Sequence, residues 1–194
     1  MSEIVLISPI KKPQDIENFT EHVKCRSFYV YHHKFLNNNF EYVNEFIDVA
    51  HANNCKIYVN FKHNITEEDL IEIKKFITFL KHTRIDGIFI NSYAILEAIK
   101  TQNLPYKVIA DSYFDIHNLS GIDFVNMFHK ADQVIITEEI YMKNIAKIKQ
   151  YKNISLAIDS DNLPWCAEDI KKLNAIDSVV IKGKFANSQE ILEG

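Results

Sequence analysis

Lys107–Asn118, KVIADSYFDIHN, is the stretch on which the fold turns. It opens as an apolar strand, Val108-Ile109-Ala110, and breaks at a carboxylate into Asp111, Ser112, Asp115, His117 and Asn118. A strand covered on both faces reads as a continuous apolar run, and such strands belong to parallel sheets flanked by helices. Groups that do chemistry in parallel α/β proteins stand just beyond the carboxyl ends of the strands. This stretch shows both features in twelve residues.

Outward from it the same plan repeats. Apolar segments run over Glu3–Ile7, Ser27–Tyr31, Lys56–Phe61, Asp86–Ile90, Gln133–Ile136, Asn153–Ile158 and Ser178–Ile181. Helical spacing fills the intervals: Ile16, Phe19 and Val23; Val43, Phe46, Ile47 and Ala50; Ile122, Val125 and Phe128; Tyr141, Ile145 and Ile148. Thr66 reads as a cap before Glu67, Glu68 and Asp69, with Leu70, Ile73, Ile77 and Leu80 as the buried stripe. Ala94–Thr101 and Leu163–Leu173 read as shorter helices, and Ser188–Glu193 as a closing turn or two.

Eight strands alternating with helices predict a compact (β/α)8 TIM-type barrel over residues 1–194, because right-handed crossovers close such a series. About 250 residues is usual for this fold, so short loops are expected. The competing architecture is an open doubly wound sheet, which would leave strand edges exposed. Asp86, Asp132 and Asp177 each precede an apolar run after Ile or Ala, at nearly equal spacing, which reads as a quarter-barrel repeat.

Composition narrows the function. The formal charge of -4 offers no basic footprint, so a nucleic-acid partner is not expected. Cys25, Cys55 and Cys166 lie far apart with no CxxC spacing, and no signal peptide or membrane-spanning run is visible. A reducing cytoplasm is the expected location. Only four glycines occur, so backbone cradles for phosphate are scarce.

In a barrel the strand ends gather Ser8, His32, His33, Lys34, Asn60, His63, Asn91, Asp111, Asp115, His117, Asn118, Glu138, Asp159, Asp161 and Lys182 at one mouth. His33, His63 and His117 with an aspartate would suit a divalent metal, although their spacing is not diagnostic. Asp111 or Glu138 set against Lys182 or a histidine would suit acid–base work, or would form a salt bridge across the mouth. Tyr29, Tyr58 and Trp165 read as core, and Cys25 and Cys55 as core thiols.

Tyr42–Asn60 (YVNEFIDVAHANNCKIYVN), Ile85–Ile95 (IDGIFINSYAI), Val108–Glu139 and Ile176–Phe185 (IDSVVIKGKF) resemble, in that order, segments of the collagenase-like peptidase family U32. The resemblance implies a barrel hydrolase of the peptidase type, with Asp111, Asn118, Glu138 and Lys182 as the positions it singles out; read together with the barrel mouth, the expectation is an enzyme acting on a peptide or small carboxylate with Asp111, His117, Glu138 and Lys182 catalytic. His33, Asn60, Asn91, Asn118 and Asp159 would hold the substrate. The family's cysteine-rich insertion after the seventh strand collapses here to Asp159–Cys166, and a four-cysteine set is lacking, so no iron–sulfur cluster is expected. Alternatives from other classes are a non-catalytic barrel working through a protein partner or as a homo-oligomer, and a regulator similar to glycerol-phosphate antiterminators. The chain has no Gly-Gly phosphate loop after the seventh strand, where AIDSDN stands.

Overall fold

A computed structural model describes residues 5–23, 25–35, 39–61, 66–99, 102–112, 114, 116, 118–129, 131–159 and 176–182. The strands are β1 (Val5–Pro9), β2 (Ser27–Tyr31), β3 (Lys56–Asn60), β4 (Gly87–Ile90), β5 (Lys107–Ala110), β6 (Gln133–Thr137), β7 (Ile154–Asp159) and β8 (Ser178–Lys182). They pair in chain order, all parallel, and β8 returns to β1 to close the barrel. Helices α1 (Gln14–Val23), α2 (Val43–Ala52), α3 (Glu67–Leu80), α4 (Tyr93–Ile99), α5 (Leu119–His129) and α6 (Glu138–Ile148) lie between the strands. The open-sheet alternative is excluded by closure. The expected helices over Leu163–Leu173 and Ser188–Glu193 fall outside the described residues.

Strand residues alternate between two apolar compartments, as the two-residue period requires. Ile7, Tyr29, Tyr58, Phe89, Ile109, Ile135 and Val180 fill the barrel interior. Phe28, Val30, Ile57, Val59, Ile88, Ile90, Val134, Ile136 and Val179 face the helices. An eight-stranded barrel is just wide enough to be filled by side chains, and rings do much of the filling. Tyr58 stacks on Phe89 with centroids 5.4 Å apart, and Tyr29 tilts against Phe89 at 5.5 Å.

Local sequence places the helices. Thr66 and Asp69 form a reciprocal capping box at the start of α3: the Asp69 N–H donates to Thr66 Oγ1, and the Thr66 N–H donates to Asp69 Oδ2. β1 runs two residues further than the apolar run suggests. Pro9 is tolerated there because pairing with β8 has ended at Ile7, while Ile10 still donates to Tyr29 O.

The three spaced aspartates act alike at the amino-terminal rim. Asp86, Asp132 and Asp177 each accept the backbone N–H of the preceding odd strand's start, at Ile57, Val108 and Ile154, over 2.9, 2.8 and 2.9 Å. Each also donates its own N–H to that same residue's carbonyl. The repeat therefore has a mechanical meaning: one carboxylate stitches each strand pair at its base. Among the described residues no helix is long and apolar enough to cross a membrane.

Gly87 sits where β4 presses on β3 and β5. A Cβ there would lie 2.9 Å from both Lys107 O and Tyr58 Cδ1, so Gly87→Ala is expected to lose about 1–3 kcal/mol by overpacking, read from urea unfolding midpoints. Burial, with a smaller contribution from the Asp86 charge, pushes the Tyr58 phenol up to about 12 from 10.0. A folded-state value above the unfolded one gives stability that is complete below pH 10 and lost as pH rises from 10 toward about 12. The wild type should lose stability across that window in alkaline unfolding, and Tyr58→Phe should lose less.

Candidate active site at the barrel mouth

The inward alternation of the strands ends in polar groups. Beyond Ile109 comes Asp111, beyond Val180 comes Lys182, beyond Tyr58 comes Asn60 and beyond Phe89 comes Asn91. Asp111 continues the β4–β5 ladder for one more residue, its N–H donating to Ile90 O at 2.7 Å. Its carboxylate therefore projects across the barrel axis from a backbone fixed to β4. β5 and β8 are three strands apart in the barrel order, so only closure brings these ends together.

There the two charges meet. Lys182 Nζ donates to Asp111 Oδ1 at 2.6 Å and to Oδ2 at 2.7 Å. Asp111 is 0% exposed and Lys182 8%. Ser112 donates both its N–H, at 2.6 Å, and its Oγ, at 3.1 Å, to Asp111 Oδ1. Asn60 Nδ2 approaches Oδ2 at 3.4 Å. A carboxylate has about four lone-pair directions, and four donor atoms make five contacts here, so Asp111 is engaged as a clamp. The Lys182 ammonium lies 5.9 Å above the Tyr29 ring and 6.0 Å from that of Phe89, near enough for cation–π attraction. Tyr29 OH in turn donates to Ile181 O at 2.9 Å, tying the base of the site to β8.

Asn91 Nδ2 donates to Phe61 O at 2.5 Å, bridging the ends of β4 and β3. At the rim, His33 is exposed and stacks on Tyr31 with centroids 5.9 Å apart. Glu138 opens α6 and is half-buried, without a hydrogen bond to Asp111 or Lys182. Asn118 caps α5, its Oδ1 accepting the Gly121 N–H at 3.0 Å. Asp159 ends β7, in register with Lys182. His63 and His117, and with them the expected trio with His33, fall outside the described residues. Among the described residues no three His, Cys, Asp or Glu side chains come together to hold a metal ion.

Two groups expected at the mouth are elsewhere. Ser8 follows the inward Ile7 and so turns to the helix side, where it is buried. His32 follows the inward Tyr31 and is buried against Phe61, ring centroids 5.2 Å apart. Adjacency in sequence to a polar loop does not override the strand period. Conversely, Tyr29 is core, as expected, and its ring also underlies the Lys182 ammonium, while Ser112, one of the polar groups after the strand, donates to Asp111. Counting by twos along SFYVY, and noting a hydroxyl directly after Asp111, are the signals that find them.

At the opposite rim, Lys107, Ala131, Asp132, Gln133, Asn153 and Asp177 line a depression of about 560 Å3. Beneath it Gln133 Nε2 donates to Ser155 Oγ at 2.6 Å and to Ser178 Oγ at 3.3 Å, a polar floor to the barrel. Cys25 and Cys55 are buried and not joined in a disulfide, and burial pushes the Cys25 thiol up to about 11.

A family model described as "Peptidase family U32" matches residues 27–159, from β2 through β7, and so includes Asp111 but not Lys182. No curated protein matches the chain. Among solved structures, D-psicose 3-epimerase with D-tagatose from Clostridium cellulolyticum H10 aligns with a TM-score of 0.66 at 11% identity, over 96% of this chain and 89% of that one. Orotidine 5'-monophosphate decarboxylase from Methanocaldococcus jannaschii aligns at 0.57 and 16%, over 100% and 96%. A glycerol uptake operon antiterminator regulatory protein from Listeria monocytogenes aligns at 0.57 and 16%, over 95% of each chain. At these identities the likeness shows the barrel fold alone.

Breaking a buried ion pair from one side leaves an uncompensated charge, at a cost of about 3–5 kcal/mol. Lys182→Met is expected to lose that much in denaturant unfolding, whereas the double variant Asp111→Leu, Lys182→Met should recover most of it. With both partners buried, alanine at either position is expected to lower the melting temperature as well.

Proposed function

This chain belongs to peptidase family U32, and on that premise we propose that the barrel mouth is the site of an enzyme acting on a peptide or a small carboxylate. The observation that carries the reading is the Asp111–Lys182 pair, buried at the carboxyl ends of β5 and β8. A buried pair is a poor source of stability against apolar packing, and this one stands at the end of the barrel where the fold places its chemistry. Lys182 supplies a positive charge, in surroundings nearly closed to water, for an oxygen that gains negative charge as a carbonyl is attacked. Asp111, held by Ser112 and Asn60, keeps that ammonium in place. Glu138 and His117 are the candidates for activating the attacking water. Asn60, Asn91, His33, Asn118 and Asp159 remain the candidates for holding substrate, and a divalent metal on the mouth histidines is a further option. A reducing cytoplasm suits the buried free thiols of Cys25 and Cys55.

A second reading, a non-catalytic barrel working through a protein partner, is favoured by one observation. Tyr93 on α4 and Phe124 on α5 are both exposed, and their rings lie 6.0 Å apart on the outside of the barrel.

Lys182→Arg keeps the charge and should fold. Against a mixture of short peptides analysed by mass spectrometry, it is expected to turn over at least about tenfold more slowly than wild type, since a guanidinium does not fit a site shaped for an ammonium. Equal turnover in a folded variant would remove the pair from the chemistry. No turnover by either protein would leave the partner-dependent reading.

A further inference from the structure

We infer that Asn91 sets what the mouth accepts: its side-chain carbonyl receives an N–H donor carried by the ligand, so the mouth takes a neutral amide in preference to a free carboxylate. The inference deepens the reading of the mouth as the substrate site and rests on it.

Asn91 stands one residue past β4 and two beyond the inward Phe89, between the ends of β3 and β5. Its Nδ2 donates to Phe61 O. That bond decides which way the amide points, because the flipped orientation would set two oxygens against each other. Oδ1 is left buried without a hydrogen-bond partner, on a residue only 7% exposed. Buried acceptors are nearly always satisfied, and one that is not destabilises the fold. Among the described residues the other such atom is Ser8 Oγ, which lies on the helix side of β1, away from the mouth.

The neighbouring groups decide the class of ligand. Asp111 already receives Lys182 on both oxygens, as well as Ser112 and Asn60. The positive charge at the mouth is therefore already matched by a carboxylate of the protein. An incoming carboxylate would compete with Asp111 for Lys182 and would face Asn91 Oδ1 with a second acceptor. An amide brings the missing donor, and its carbonyl adds no net charge.

The test is a titration of the 15N-labelled full chain with acetamide and, separately, with sodium acetate at matched ionic strength, followed by 1H–15N spectra. The expected result is that acetamide shifts the Asn91 side-chain amide and neighbouring mouth signals, with an apparent Kd about tenfold below that of acetate, the worth of one hydrogen bond. Asn91→Leu, which keeps the volume and removes the polar atoms, should abolish the preference. Should that variant not fold, the wild-type comparison still decides. Equal responses to both probes at the mouth, or none to acetamide, would overturn the role of Asn91 and leave the mouth reading intact. Shifts confined to the Asp132–Asp177 rim would overturn both.

Discussion

Closure of eight parallel strands into one ring is the constraint from which the rest of the molecule follows. In such a ring each strand side chain has two destinations, interior or helix layer, and they alternate residue by residue. The interior is narrow, so it takes a few large rings and branched chains, and Tyr29, Tyr58 and Phe89 meet there at 5.4 to 5.5 Å. What lies two residues above that plug, on each strand, becomes the mouth. Asp111, Lys182, Asn60 and Asn91 are thus neighbours because they are equally far up different strands, not because their loops reach for one another.

Within that geometry the Asp111–Lys182 pair has a specific character. Both charges are withdrawn from water, and their attraction offsets the desolvation only because the contact is two-pronged and further donors complete the carboxylate. On the proposed function, Asp111 is the positioning group and Lys182 the member that acts on the substrate. It also ties function to folding, since a change to either partner disturbs both. The aromatic floor beneath the ammonium adds attraction without adding a competing acceptor.

The amino-terminal rim is built for a different purpose. Asp86, Asp132 and Asp177 each bind the backbone at the base of a strand pair, and Gly87 allows β4 to approach Tyr58 and Lys107. These are devices of register and stability. The division between a stitched base and a polar mouth accords with the division of labour usual in this fold.

The barrel itself was legible in the chain, because continuous apolar runs separated by helical stripes leave few topologies once right-handed crossovers are imposed. The positions of Asp111, Lys182, Asn60 and Asn91 at strand ends were legible for the same reason, as were the Thr66 cap and the spaced aspartates. The likeness to the U32 family was also visible in the order of its short motifs. The Asp111–Lys182 salt bridge was legible as one of the pairings across the mouth, but which of those pairings forms was not. Ser8 and His32 stood beside the mouth in sequence and turned away from it, while Tyr29 is core, as expected, and its ring also lies beneath the ammonium. Sequence reports how far up a strand a residue stands. Which face it presents depends on the register of the whole closed sheet, and a contact such as that between residues 111 and 182 exists only once β8 has met β1.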